Sequence, residues 1–328
     1  MHRDGMTVTP GSSNGVLITT ETETFRLDPG KTLGGDVNVV SHAHSDHLPR
    51  SGTEMQIVAS RETIELARMR TGKKYTGIRH GSVRLLDAGH VPGSKMVMVR
   101  DELSYLYTGD FCTRKKVYLN RARAVRTDVL VTETTYGHPR YRFPDPVELA
   151  GVIRDWAADT LSRGHSIIFS AYPLGKAQEL QVILRGMPVY ADEPVERHNR
   201  ILQGPKDEPL AAPLARIGTD PSIVITSGRG IMPTLPAAIR RNAMTATASG
   251  WCLDGGFRGR MGYDEAFPLS DHCDYYDLLD FVKGCSPSLV YTVHGFDSEF
   301  AASIRKELGI EAKPLRQKKE KQKKLDSF

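Results

Sequence analysis

The sequence predicts an α/β fold in which one domain is interrupted by a second, and three observations point there. Up to Tyr136, short apolar segments of β-branched character end repeatedly at His, Asp or Glu. Between Tyr141 and Trp251 the pattern changes to alternating helices and strands, which implies a parallel sheet layered with helices. After Phe267 the strand ends bearing His return. A chain that leaves one pattern and comes back to it is one domain carrying another, not two in series.

In order, residues 15–19 and 24–27 alternate apolar and polar side chains and read as a hairpin at a sheet edge. Val37-Asn38-Val39-Val40 is a buried strand that runs into the loop Ser41 to His47. Residues 61–69 have helical spacing and stop near Gly72, and 82–87 form a strand leading to Gly89-His90. Segments 96–100 and 103–107 are a strand pair delivering Gly109-Asp110, and 129–131 delivers Thr132-Glu133. In the insert, residues 146–162 are a helix closed by Gly164, 166–170 a strand, 175–185 a helix, 188–190 a short strand and 195–202 a helix. Two more strands, 222–226 and 245–248, enclose a helix, and a last helix falls near 298–308. The expected boundaries are a first domain part over 1–142, a cassette over 143–252, a return over 253–312 and a basic tail over 313–328.

Composition narrows the class. With 328 residues, 39% hydrophobic and 25% charged, the chain can bury a sizeable core and is not disordered. No apolar run approaches the ~20 residues that span a bilayer, and 1–14 is polar without a signal-peptide core, so a cytoplasmic chain with no membrane partner is expected. Cys112, Cys252, Cys273 and Cys285 are widely spaced and read as small hydrophobes. From 313 to 324 seven basic residues stand against one Glu, so the rest of the chain carries −1 of the net +5. That run is either a solvated terminus or an arm that grips phosphates.

Three imidazoles and a carboxylate within His42-x-His44-x-Asp46-His47 follow a strand end, an arrangement suited to a zinc-like ion. His42, His44 and His90 are natural ligands for one metal; Asp46, His47 and His294 serve a second; and Asp110 can bridge both. Two ions so bridged would sit roughly 3.5–4 Å apart and lower the pKa of a water that then attacks as nucleophile. Two Zn²⁺ are expected, with Mn²⁺ or another divalent ion as the alternative. Gly228-Arg229-Gly230 lacks the Lys and the spacing of a nucleotide-binding loop. His2, His80, His138, His165 and His198 match no motif and read as surface or satisfied histidines.

The ordered set His42-x-His44-x-Asp46-His47, Gly89-His90, Gly109-Asp110, Glu133-Thr134-Thr135-Tyr136-Gly137, Ser270-Asp271-His272 and Val293-His294-Gly295 resembles the β-CASP branch of the metallo-β-lactamase superfamily. Residues 171–180, Thr226-Ser227-Gly228 and Ala248-Ser249-Gly250-Trp251 are similar to the loops of its cassette. The small prokaryotic mRNA 3′-end processing factor-like exonucleases and ligase-associated DNA exonucleases are most similar. The resemblance implies a metallo-β-lactamase αββα sandwich with an inserted, small β-CASP cassette, and a nuclease acting on RNA or single-stranded DNA. It also implies that Glu133 orients His272, that His272 is the general acid, and that Asp46 belongs to the catalytic group as well as to the ligands. Lys176, Gly228 and Arg229 are candidate nucleic-acid contacts, although a Lys at a helix start is as readily solvated. The competing expectations are a metallo-hydrolase of small (thio)esters on the same catalytic domain and an inactive nucleic-acid-binding subunit. A homo-oligomer is left open.

Overall fold

Alternation of buried and partly exposed side chains builds the first sheet. The computed structural model describes residues 7–12, 15–31, 35–116, 118–203 and 207–315; His2 and the basic run from 316 lie outside them. Strands β1 (Thr7–Pro10), β2 (Val16–Thr19) and β3 (Thr24–Leu27) pair antiparallel, and β4 (Val37–Val39) joins β3 in parallel. Val16 and Ile18 of β2 are buried while Leu17 and Thr19 are partly exposed, the period of two that a half-buried strand requires. Strands β5 (Glu54–Ile57) and β6 (Lys74–Gly77) flank helix α1 (Arg61–Thr71). Ser60 caps α1 by accepting from the Thr63 N–H, and left-handed Gly72 ends it.

The second sheet begins with β7 (Val83–Asp87), β8 (Lys95–Arg100) and β9 (Ser104–Tyr107), antiparallel in turn, followed by β10 (Val129–Glu133) in parallel with β9. The chain then enters the insert through α2 (Pro146–Ser162), β11 (Ser166–Ser170), α3 (Lys176–Ile183), β12 (Val189–Ala191), α4 (Glu193–Leu202) and β13 (Ala212–Pro213). It continues with β14 (Ile223–Thr226), α5 (Ala237–Arg241), β15 (Ala243–Ala248), α6 (Phe257–Met261) and β16 (Glu265–Phe267). These six strands are all parallel, in the order β13-β12-β14-β11-β15-β16. Ile167 and Phe169 of β11 pack with Ile153 and Leu180 on one face, while Ile168 packs with Leu235 and Ile239 on the other. Because β16 pairs with β15, the inserted sheet runs to Phe267, beyond the expected border at 252; Glu265-Ala266-Phe267 has no β-branched residue to mark it.

The return contains α7 (Tyr275–Cys285), which the sequence pattern did not announce, then β17 (Leu289–Val293), α8 (Asp297–Ser303) with a π turn over Ile304–Leu308, and β18 (Glu311–Pro314). Strands β17 and β18 complete the second sheet, β18-β17-β10-β9-β8-β7. Lys313 and Pro314, expected in the tail, belong to this edge strand, and the Leu315 N–H still donates to Thr292 O at 2.9 Å. A strand end on the sheet edge tolerates the proline. Successive residues of the second sheet serve two interfaces: Val97, Val99, Val129 and Val131 meet Ile18, Phe25, Leu27 and Val39 of the first sheet. Met96, Met98, Leu106 and Leu130 meet Leu278, Phe281 and Phe300 of the helices behind. The layers are therefore helix, sheet, sheet, helix, the αββα sandwich expected, with the parallel α/β cassette inserted. Among the described residues no helix is long and apolar enough to cross a membrane.

Candidate metal centre

The carboxyl ends of parallel strands gather the polar side chains. In the second sheet, the loop after β9 carries Asp110, β10 ends on Glu133, and His294 follows β17; the register Glu133↔Val293 sets the last two beside each other. In the first sheet, β4 leads into the loop holding His42, His44, Asp46 and His47. The cassette contributes the same edge: β11 leads to Tyr172, β15 to Trp251 and β16 to Asp271 and His272. His44, Asp46, His47, Asp110 and His294 line one cavity of about 350 Å³ with Tyr172, Trp251, Asp271 and His272, and His42 and Glu133 stand behind its wall. Crevices beyond strand carboxyl ends are where α/β proteins bind ligands. A larger cleft of about 1520 Å³ touches Gly89 and Lys116 but includes none of the seven expected ligands, so the smaller cavity is the candidate site.

Two glycines make the approach possible. Gly109 has φ 50°, and a Cβ there would stand 2.7 Å from Ser41 Oγ. Gly295, at φ 54°, would place a Cβ 2.4 Å from Thr134 O. His294 itself holds φ 62°, a conformation costly for a side chain with a Cβ and one that recurs at functional sites.

The geometry fits a cation. His42 Nε2 and His90 Nε2 each lie 3.1 Å from His44 Nδ1, and Asp110 Oδ2 is 3.6 Å from both Nε2 atoms. A tetrahedral ion with bonds of about 2.0–2.1 Å separates its ligand atoms by roughly 3.4 Å, close to these values. The outer nitrogens fix the tautomers. His42 Nδ1–H donates to Ser41 Oγ (3.0 Å), whose own proton goes to Asp28 Oδ2 (2.6 Å). His44 Nε2–H donates to Leu174 O (3.3 Å) and His90 Nδ1–H to Asp271 O (3.0 Å). Three lone pairs therefore face one another, which is repulsive unless a positive centre lies between them. Burial, reinforced by His47, lowers the His42 pKa well below the usual imidazole range. Burial and His272 do the same for His90, and burial brings His44 to about 4. All three are thus neutral at neutral pH, the form that ligates.

A second donor set lies alongside. His47 Nε2 is 3.5 Å from Asp110 Oδ2 and 3.6 Å from Asp46 Oδ2, and His294 Nε2 is buried with no hydrogen-bond partner. The rings of His47 and His294 are 6.1 Å apart between centroids. Asp110 stays ionised although burial works against it, because His47 and then His272 and His42 offset that cost. His47 is raised against the same burial by Asp110 and Asp28.

Asp28 also approaches His42 and His47, but its oxygens are filled by Ser41 N (2.6 Å), Ser41 Oγ (2.6 Å), His47 Nδ1 (2.7 Å) and Tyr107 OH (2.9 Å). It holds two of the expected ligands in place and has no oxygen left free for an ion. Sequence reasoning missed it; an acidic residue closing the strand Thr24–Leu27 just before Pro29-Gly30 is the signal that marks it.

Glu133 Oε1 accepts from His272 Nδ1–H at 2.7 Å and from the Phe111 N–H at 3.0 Å. Burial lowers the His272 pKa, but Glu133 and then Asp110 and Asp271 prevail, leaving it raised. The ring stands 4.6 Å from that of His90.

Lys176 lines the cavity but is neither solvated nor free. It is buried, and its Nζ is 2.5 Å from Asp271 Oδ2; Lys116 Nζ takes Asp271 Oδ1 at 2.5 Å and His90 O at 2.9 Å. These two ion pairs tie the cassette, the first domain part and the His272 loop together. Gly228 is exposed and does not line the cavity, and the side chain of Arg229 lies outside the described residues. The histidines set aside find partners: Glu23 for His80, Arg140 N for His138, Asn242 O for His165, and Pro194 O with Arg70 for His198. Cys112, Cys273 and Cys285 are buried, Cys252 is partly buried, and all four are free.

Residues 265–313 match the family described as the Zn-dependent metallo-hydrolase RNA specificity domain. The chain is 33% identical over 298 residues to a probable DNA ligase of Opitutus terrae, covering 83% of this chain and 28% of that one. It is 30% identical over 157 residues to the endoribonuclease YSH1 of Yarrowia lipolytica, covering 46% of this chain and 18% of that one. The chain thus spans less than a third of the length of either relative. A solved structure of a protein of unknown function from Enterococcus faecalis superposes with a TM-score of 0.66 at 15% identity, covering 95% of this chain and 98% of that one, a likeness of fold.

Proposed function

Because the chain belongs to the β-CASP branch of the metallo-β-lactamase superfamily, we propose that it is a metal-dependent nuclease hydrolysing phosphodiester bonds of RNA or single-stranded DNA. The observation that carries this reading is the convergence of His42 Nε2, His44 Nδ1, His90 Nε2 and Asp110 Oδ2 on one point, with the His272–Glu133 pair grouped around the same Asp110. Two divalent ions, zinc first among them, would be held by His42, His44 and His90 on one side and by Asp46, His47 and His294 on the other, with Asp110 shared. When bound, such ions acidify water and offset charge on the phosphoryl oxygens.

The chain's own residues supply the rest. His272, whose protonated form Glu133 favours against the cost of burial, gives a proton from Nε2 to the leaving oxygen, and Glu133, bonded to Nδ1, holds the ring in place. Asp28 and Ser41 keep His42 and His47 aimed at the centre. Residues 1–142 and the segment after Phe267 form the catalytic part, and the inserted sheet brings Tyr172 and Trp251 to the cavity wall. Zinc- or manganese-loaded protein incubated with end-labelled single-stranded RNA and DNA of matched sequence tests this. Metal-dependent shortening of at least one strand is expected. Turnover of a thioester but of neither strand would overturn the reading in favour of a small-substrate hydrolase.

A further inference from the structure

Arg70, on the last turn of α1, borders two spaces at once. It lines the metal cavity and also an adjoining groove of about 540 Å³ between α1 and α4, where the first domain part meets the cassette. One guanidinium nitrogen is spoken for: NH1 donates to His198 Nε2 at 3.0 Å, while His198 Nδ1–H donates to Pro194 O at 2.6 Å. Nε is buried and has no partner, and the one carboxylate acting on the Arg70 charge, Asp46, does so from beyond ion-pair distance. A buried charge-bearing donor left without an acceptor is costly, and the cost is recovered only when an acceptor arrives. Ser45, between the expected ligands His44 and Asp46, also lines both spaces, so a hydroxyl and a guanidinium meet at the rim they share.

Beyond that rim the groove is cationic. Arg50, Lys73 and Arg197 line it against a single carboxylate, Glu193, which is 3.1 Å from Arg197 on the exposed face of α4. Lys73 is fixed by its Nζ donating to Pro49 O (3.1 Å) and Arg50 O (2.7 Å). The sequence has no run that announces this patch, because its four cations come from three separate segments. Planar guanidinium groups recognise phosphate oxygens through paired N–H donors.

We propose that Arg70, with Ser45, binds the internal backbone phosphate next to the scissile one, and that the strand leaves the metal centre over Arg50, Lys73 and Arg197. This rests on the nuclease reading above and adds to it a path and a direction across the α1–α4 seam. An internal phosphodiester is the better occupant than a terminal phosphate because the groove continues past Arg70 to the exposed Arg50 and Arg197.

The test uses the metal-loaded protein and end-labelled single strands, each prepared with and without terminal phosphates. Arg70→Gln should raise KM on the order of 10- to 100-fold, the loss of a charge-assisted hydrogen bond, with a much smaller change in kcat. It should flatten the dependence of log affinity on log salt by about 0.7, the share of one neutralised phosphate on a single strand. Arg70→Lys, which keeps the charge, should recover part of the KM and most of the slope. Metal content and melting temperature near those of the unmodified chain establish that the fold stands. Should Arg70→Gln fail to fold, the double variant Arg50→Gln/Arg197→Gln carries the test through its own loss of salt slope. An unchanged KM and slope in a variant that folds, or an effect confined to strands with terminal phosphates, overturns the proposal while leaving the nuclease reading standing. If the unmodified protein cleaves neither strand, it is the nuclease reading that falls.

Discussion

Replacing Asp28 by Asn keeps the side chain's shape and removes one buried charge. Oδ2 accepts from three donors, Ser41 Oγ, His47 Nδ1 and Tyr107 OH, and Oδ1 from the Ser41 N–H. A carboxylate can serve all four, whereas an amide offers one oxygen and two N–H groups. The least costly arrangement puts the amide oxygen toward the three donors, so its NH₂ opposes the Ser41 N–H. That leaves a buried backbone donor unpaired, a destabilisation of about 1–3 kcal/mol. It also weakens the bond that aims His47, and outer-sphere changes of this kind cost about 10- to 100-fold in metal affinity. That range is about 1.4–2.8 kcal/mol. Competition between the protein and a chromophoric chelator measures the affinity, and thermal unfolding of the chelator-treated protein measures the stability. Tyr107→Phe, which removes one of the four donors, should lose less on both scales. Asp28→Asn protein that holds its ions as tightly as the unmodified chain would refute the assignment of Asp28 as the residue that orients His47.

Three further outcomes follow from the same geometry. His272→Ala should keep its metal yet lose roughly 10²- to 10⁴-fold in turnover, the share a positioned proton donor contributes; near-normal cleavage of an end-labelled strand would mean another group protonates the leaving oxygen. In metal-free protein, burial keeps His42, His44 and His90 neutral well below the ordinary imidazole value, His44 to about 4. The unfolded chain binds protons there that the fold does not, so stability should fall as pH drops below about 6.5, by as much as about 1.4 kcal/mol per pH unit for each imidazole. His47 has the opposite sign: its raised pKa lends stability below about 6.5 that is lost as pH rises through the folded value. A flat melting profile between pH 7 and 5 would contradict this. Deleting 316–328 removes six basic and two acidic residues and spares β18, which a cut at Pro314 would sever. If that run grips the nucleic-acid backbone, the salt slope should flatten by about 0.7 for each phosphate no longer neutralised; an unchanged slope makes the run a solvated terminus.

What the sequence could display was local. Helix α1 is readable from Ser60, Gly72 and the apolar spacing between them, and β8 and β9 from their β-branched and aromatic runs. The motif histidines stand out because candidate ligands on one loop are close in sequence as well as in space. Helix α7 escaped notice although Asp274 and Asp277 make a capping box and Tyr275, Leu278, Leu279 and Val282 lie on one face; the His-bearing segment before it drew the reading toward strands. Strand β18 hid inside a basic run because an edge strand tolerates Lys and Pro. The state of Lys176 could not be read at all: its partner Asp271 lies far along the chain, on the loop after a strand whose pairing the local pattern does not specify. Asp28 and Arg70 belong to the same class, since each acts through residues that only the fold brings near.

The most direct test of the metal centre is anomalous diffraction at the zinc edge from crystals of the zinc-loaded protein. Two peaks are expected. One should be bonded by His42 Nε2, His44 Nδ1 and His90 Nε2, the other by Asp46, His47 Nε2 and His294 Nε2, with Asp110 reaching both. A peak ligated by Asp28 with His42 and His47, or full loading with no peak among His42, His44 and His90, would contradict the account.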